Sequence, residues 1–307
     1  MIRLLALALA AITIITTPAT AQIRERDIER GRTTIEADRG YIYLETDGRF
    51  FGIFLRVPEP EDYVAYEQAR EDQFAELQEQ YARDYAAFER AYANARERRW
   101  RLPTAPEEPT MADVSVTPPE LQDAASFGPG SDFAHDDDTD RRAYLTVVRP
   151  GTYVWYGPVM YDTNQGFVGA CNCMGTVMFD VVPGVVTDLG DFLTAAPRYA
   201  DRGGAQMEEF GNFSVVGLLG SRTVSLPTQS REPSFGLPES LAAWAGEPVE
   251  FRAAGKMNNF YGTLVDRLPP IDGVLEYRRD QVIDARTGEV LETLTLPQNS
   301  TPSEAEL

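Results

Sequence analysis

Two cysteines separated by a single residue, Cys171 and Cys173, are the side chains with the clearest chemical potential in this sequence. If the segment is a β-strand, both side chains point to the same face, because strand side chains alternate with a period of two. Four states are open. The pair could form a strained disulfide, stay reduced and inert in the core, bind a soft metal, or bridge to another chain.

The soft-metal alternative would bind monovalent copper, which prefers sulfur ligands. Cys171, Cys173 and Met174 would be the ligands, with Met160 and Met178 close in sequence. A thiol-redox role for the same two cysteines is the related alternative. Against copper, no histidine lies nearby, and methionines at strand spacing usually fill a core.

The single histidine, His135, lies in an acidic stretch from Asp132 to Asp140. A Ser-His-Asp or Cys-His apparatus would have to use it, but a solvated loop holds a catalytic base poorly. The carboxylates could instead bind calcium, although the Gly and the closing Glu of an EF-hand loop are missing. A solvated acidic loop is therefore the expected state, with calcium as the alternative.

A second polar cluster runs from Lys256 to Gly262 and includes Asn258 and Asn259. It could line a polysaccharide or peptide groove, but Asn-rich stretches more often form turns. No phosphate-binding loop, nucleophile elbow or zinc motif is present. A hydrolase with a catalytic carboxylate pair remains a third possibility, because the chain has 48 acidic residues, but no spacing singles out a pair.

The first elements that could position these groups lie in residues 40–57. Residues 41–44 and 50–57 are apolar on both faces, and Asp47-Gly48 between them is a turn signal. This pattern predicts a β-hairpin with covered strands. Residues 22–39 are charged and lack periodicity, so they are expected to be a flexible lead-in.

A long helical insertion is predicted over residues 61–101, which contain no Gly and no Pro. Acidic residues at its start and arginines at its end suit the helix dipole. Whether it is one helix or two is open. Its apolar stripe, a candidate partner-binding surface, consists of Phe74, Leu77, Tyr81, Tyr85, Phe88 and Tyr92.

Residues 102–142 read as a proline-rich acidic linker, and residues 143–297 return to short β-strands separated by Gly and Pro turns. Residues 238–245 are expected to form a short helix, and residues 298–307 a disordered tail. This pattern predicts a mainly β (α+β) fold, an antiparallel sandwich of Greek-key type built from residues 40–57 and 143–297.

Two stretches, LTVVRPGTY from Leu145 to Tyr153 and VVPGVVTDLG from Val181 to Gly190, support this view. Their Pro-Gly-x-Tyr turn and later Gly-x-x-x-Asp-Leu-Gly strand resemble uncharacterised bacterial envelope β-sandwich proteins. The resemblance implies a Greek-key sandwich and transfers no catalytic residue.

Residues 1–21 read as a cleavable signal peptide: a basic start, an apolar run of about a dozen residues and a small-x-small site at Ala19-Thr20-Ala21. We therefore expect a periplasmic or cell-surface protein. No second apolar stretch is long enough to span a membrane. The formal net charge of -20 disfavours nucleic acid, whose binding needs Lys and Arg against phosphates.

The leading hypothesis is a non-catalytic envelope protein that binds a protein partner, or a second copy of itself, through residues 61–101. Copper binding or thiol-redox chemistry at the cysteines is the alternative.

Overall fold

The computed structural model describes residues 22–128, 130–195, 212–217, 220–225 and 233–294. The predicted signal peptide and the predicted tail lie outside these ranges. Numbered along the chain, the strands are β1 Gln22–Ile23, β2 Gly40–Asp47, β3 Gly52–Arg56, β4 Ala125–Phe127, β5 Ala134–Asp136, β6 Arg141–Val148, β7 Gly151–Gly157, β8 Val159–Asp162, β9 Gly166–Cys171, β10 Thr176–Val181, β11 Val186–Asp188, β12 Asn212–Gly217, β13 Gly220–Ser225, β14 Gly246–Pro248, β15 Arg252–Ala254, β16 Leu264–Val265, β17 Leu275–Arg278, β18 Gln281–Asp284 and β19 Val290–Leu291.

Helices are few. They are α1 Glu25–Glu29, α2 Pro60–Arg98, α3 Pro119–Gln122 and α4 Phe192–Ala195, with 3₁₀ turns at Met111–Asp113 and Glu239–Leu241. The fold is therefore mainly β with one long helix, which confirms the predicted class. No helix among the described residues is both long enough and apolar enough to cross a membrane.

Two larger sheets carry most of the strands. The first has the order β1-β6-β2-β11-β14, with β5 also paired to β6, and the second has the order β15-β10-β7-β3-β4. Three smaller sheets are β16-β9-β8, β17-β18-β19 and β12-β13. Most pairs are antiparallel, but β11 runs parallel to both β2 and β14, and β16 runs parallel to β9. The sequence had predicted an antiparallel arrangement, but these pairs make the sheets mixed.

The predicted hairpin of residues 40–57 is wrong, although both strands exist. Strand β2 pairs with β6 in the first sheet, and β3 pairs with β7 in the second. The turn is present, with Gly48 at φ 84°, but the next residues carry the chain across to the other sheet. Tyr144 holds this crossing, because its hydroxyl accepts from the Phe50 N–H and donates to the Phe50 carbonyl.

The largest buried cluster contains residues from both larger sheets. Ile42 and Leu44 of β2 and Tyr153 and Trp155 of β7 belong to one buried cluster. The alternate residues of the same strands face outward: Tyr41 and Tyr43 join a second cluster with Leu241, and Val154 and Tyr156 join a third with the two cysteines. Covered outer faces explain why these strands are apolar on both sides.

Segments expected to be irregular contribute strands. In the lead-in 22–39, β1 pairs with β6 and is followed by α1. In the linker 102–142, β4 pairs with β3, and β5 pairs with β6. Such two- and three-residue strands leave no periodicity to detect, since they form only by pairing with distant residues. The helix expected over 238–245 is reduced to a 3₁₀ turn.

Candidate functional site

The most distinctive feature of the molecule is α2, which runs without interruption and so is one helix. It starts with Pro60 at its first turn, and Glu59 and Asp62 form a reciprocal capping box. Its C-terminus is closed by Arg99 in the left-handed conformation. At 1.5 Å per residue, the 39 residues extend over about 57 Å.

A buried ionic cluster fixes the base of the helix to the second sheet. Arg56 of β3 is 3 % exposed, and its NH1 lies 2.6 Å from the Asp62 Oδ2 and 3.5 Å from the Asp123 Oδ2. Its NH2 contacts Glu59 at 3.0 Å. Arg149, in the turn before β7, donates to the other oxygen of Asp62 at 2.8 Å. Asp62 therefore joins Arg56 of β3 and Arg149 of the β6–β7 turn to one helix.

The ionisation of Asp62 reflects these contacts. Burial on its own would raise the pKa of this carboxyl. The Glu59 N–H, Arg56 and Arg149 outweigh that effect and hold the pKa below its usual value. Nearby, the Tyr63 hydroxyl donates to Glu120 of α3 at 3.1 Å. The first turn of the helix is thus held to the β-rich part of the chain by ion pairs and hydrogen bonds.

The segment 102–118 returns along the helix, and we call it the strap. The Ser115 N–H donates to Gln73 at 2.8 Å, and the charge of Glu108 adds to partial burial in raising the pKa of Tyr81. Pro103, Pro106 and Pro109 are half-buried and the residues between them are exposed. A period of three is that of a polyproline II helix, so one proline face of the strap is covered.

The predicted partner-binding stripe is only partly covered by the strap. Phe74, Leu77, Tyr81 and Phe88 are half-buried, whereas Tyr85 and Tyr92 are 39 % and 38 % exposed. The rings from Tyr81 to Tyr92 form a ladder, with successive centroids 5.7, 5.8 and 5.7 Å apart. The helix and the strap together form what we call the arm, and its aromatic ladder remains in contact with solvent.

The two cysteines are joined to each other. Their sulfurs are 2.06 Å apart, and both residues are buried. Of the four states left open by the sequence, the structure has the disulfide. In this form neither sulfur is a free thiolate, and Met174 is exposed rather than packed on the pair. The set Cys171, Cys173 and Met174 is therefore not arranged as a copper site.

The backbone around the disulfide is tightly held. The Asn172 N–H donates to the Tyr156 carbonyl, the Met257 N–H to Cys173, and the Asp266 N–H to Cys171. The sequence suggested a single strand holding both cysteines, but β9 ends at Cys171 and a turn carries Cys173. These backbone bonds fasten the turn between β9 and β10 to the segment 257–266, while the disulfide closes the turn itself.

His135 lies in β5 within its acidic stretch, as a surface group. Its Nδ1 is 3.2 Å from Asp137, and its Nε2 is 3.1 Å from Asp140. The Arg142 guanidinium forms ion pairs with Asp132 at 2.8 Å and with Asp140 at 3.1 Å. Among the described residues, no group of three or more His, Cys, Asp or Glu side chains could hold a metal ion. Arg142 thus pairs with two of the five aspartates of the stretch.

The Lys256–Gly262 cluster is organised as a turn. The Asn259 Oδ1 accepts from the Tyr156 hydroxyl at 3.0 Å and from the Thr263 N–H at 3.1 Å, and its Nδ2 donates to the Thr263 carbonyl. These contacts use the amide for local structure, which favours the turn interpretation. Lys256 itself lines a shallow depression of about 440 Å³ beside β18 and β19, together with Asp280 and Glu292.

A second depression, of about 430 Å³, was not predicted from the sequence. It lies where β3, β4 and the β8–β9 hairpin meet, and Gln22, Tyr161, Phe167 and Tyr261 are among its lining residues. These residues are spread over nearly the whole chain, so no local pattern could have grouped them.

Comparison with known proteins gives no relative. No protein-family model, no curated protein and no solved structure matches the chain. The class that the fold and the arm define is a mainly β protein with a long helical insertion.

Proposed function

We propose that this chain is a non-catalytic exported protein that binds a protein partner through its arm. The observation that carries the proposal is the exposed aromatic ladder on a helix whose base is fixed by buried charges. Aromatic residues are enriched at protein interfaces because they bury a large area at little cost in conformational entropy. A rigid base also reduces the entropy lost on binding.

The proposal includes a location and a finer fold. The disulfide supports an oxidising compartment, the periplasm or the cell surface, as does the predicted signal peptide. The buried cluster that the two larger sheets share supports an arrangement as a β-sandwich. The Greek-key topology and the resemblance to envelope β-sandwich proteins belong to the same proposal.

Site-specific photo-crosslinking in the native cell envelope tests the arm. A crosslinking amino acid at Tyr85 or Tyr92 is expected to capture one and the same protein, and its mass would distinguish a second copy of this chain from another partner. Arg83 and Arg90 lie outside the aromatic stripe and serve as matched positions on the same helix. Equal capture at all four positions, or none at Tyr85 and Tyr92, would contradict the proposal.

Thiol-redox chemistry and copper binding remain the alternative. Both need the disulfide to be reduced in the folded protein, because the two sulfurs are otherwise bonded to each other. Titration of thiols in the native protein before and after treatment with dithiothreitol therefore tests this alternative.

A further inference from the structure

The depression between β3, β4 and the β8–β9 hairpin has a lining unlike the rest of this acidic chain. Of the described residues that line it, none carries a charge, although the chain has a formal net charge of -20. Apart from the α-amino group that cleavage after Ala21 would leave on Gln22, a charged ligand would find no counter-charge there, which favours a neutral occupant.

The rim is aromatic and exposed. Tyr161 is 62 % exposed and Phe167 is 40 % exposed. The two face each other across the hairpin, with ring centroids 5.2 Å apart. Phe167 in turn stacks on Tyr261 at 4.2 Å. Three rings in contact thus extend from solvent toward the core.

This platform is held from behind. The Tyr261 ring meets that of Tyr156 at 5.3 Å, and the Tyr261 N–H donates to the Tyr156 hydroxyl. Asn259 accepts from the same hydroxyl. Since the Tyr156 carbonyl is bonded to Asn172 between the two cysteines, the disulfide turn supports the rings. The platform is therefore preorganised rather than a set of mobile side chains.

The depression also contains an unused hydrogen-bond acceptor. The Gln22 amide nitrogen donates to the Ser126 carbonyl at 2.8 Å, but its Oε1 is buried and has no partner. A buried acceptor without a donor is costly. A ligand hydroxyl would satisfy it once the amide turns toward the depression, because the oxygen has no surface open to solvent as it stands. The site thus offers apolar rings for stacking and an acceptor for a hydroxyl.

We infer that this depression binds a neutral sugar residue of a glycan, with its C–H face packed on Tyr161 and Phe167 and a hydroxyl donating to the Gln22 Oε1. A pyranose ring combines these properties, because its faces are apolar and its edges carry hydroxyls. A purely apolar ligand would leave the acceptor unpaired. The inference is independent of the arm.

Calorimetric titration of the purified exported protein with cellohexaose and with the hexamer of N-acetylglucosamine tests the inference. At least one is expected to bind with a Kd of about 10 μM to 1 mM. Tyr161→Ala and Phe167→Ala should each weaken binding about tenfold, which corresponds to about 1.4 kcal/mol, because each removes one ring of the platform. Tyr85→Ala, which removes a ring on the arm about as exposed as Phe167, should leave binding unchanged.

Three outcomes would overturn the inference. The first is that neither neutral hexamer gives heat on titration into the protein. The second is that the wild type and both rim variants bind equally well, and the third is that indole binds but neither hexamer does. The last would assign the site to an aromatic side chain of a protein. Because the rim rings are exposed, their substitution leaves the core intact, and thermal unfolding of each variant checks this.

Discussion

Arg56 of β3 and Asp62 of α2 form a buried ion pair, with 2.6 Å between the NH1 and the Oδ2 atoms. The two residues are close in sequence, yet one lies in a sheet and the other in the first turn of a helix about 57 Å long. This contact, with those of Arg56 to Glu59 and of Arg149 to Asp62, ties the first turn of the helix to the end of the strand. Because the Arg56 and Asp62 side chains are both buried, neither can exchange its partner for water.

Removing the arginine should destabilise the protein strongly. Arg56→Met leaves the Asp62 carboxylate buried with Arg149 as its main cationic partner, so we expect the free energy of unfolding to fall by about 3–5 kcal/mol. Urea denaturation measures this. Arg83→Met on the same helix is the matched control, because Arg83 and Glu79 form an exposed pair 3.6 Å apart, which is worth less than about 1 kcal/mol. Equal losses of unfolding free energy in Arg56→Met and Arg83→Met would show that the Arg56–Asp62 pair stabilises the protein no more than an exposed pair does.

The same site should make stability depend on acidity. The pKa of Asp62 is lowered in the folded protein, so its contribution is fully present above the unfolded value of about 3.9. It is then lost as the pH falls through the lower, folded value. We expect the difference in unfolding free energy between the wild type and Asp62→Asn to shrink between about pH 5 and pH 2. A difference that stays constant over this range would contradict the assignment.

The disulfide should resist reduction in the folded state. Both cysteines are buried, so a reductant reaches the sulfurs only through local opening. Dithiothreitol followed by alkylation is expected to modify neither cysteine in native buffer and both in urea, as read by mass spectrometry. Modification of both in native buffer would instead support the thiol-redox alternative.

A glycine beside the disulfide turn should tolerate no side chain. Gly157 has φ 142°, and a Cβ there would collide with the Ala170 carbonyl oxygen. We expect Gly157→Ala to lower the unfolding free energy by at least about 2 kcal/mol. Gly166→Ala is the matched control: φ is 77° but nothing lies within 4 Å, so only backbone strain of about 1 kcal/mol applies. Calorimetry of both variants checks the order, and a reversal would contradict it.

Elements with a strong local pattern could be predicted from the sequence. The helix α2 follows from the absence of Gly and Pro, and β6, β7 and β10 follow from their β-branched and aromatic residues. The partners of these strands could not be predicted. Strand β2 ends in a turn signal that normally makes a hairpin, but pairing is decided by packing between distant segments, here through Tyr144 and Phe50.

The candidate sites divide in the same way. The cysteine pair is visible in the sequence, and the choice among its four states needed geometry. The strap could have been predicted from the spacing of three between Pro103, Pro106 and Pro109, which is the period of a polyproline II helix. The neutral depression had none, because Gln22 and Tyr261 meet only in the folded chain.

The strap has a consequence for how the arm can vary in length. A polyproline II segment advances about 3.1 Å per residue and an α-helix about 1.5 Å. Of the 17 residues of the strap (102–118), the three of the 3₁₀ turn Met111–Asp113 advance only about 2.0 Å each. The strap therefore reaches at most about 49 Å, which does not exceed the length of the helix. The strap must therefore be almost fully extended to run back along the helix. One residue lost from the strap must be matched by about two from the helix, so insertions and deletions in the two segments should occur together, in a ratio of about one to two.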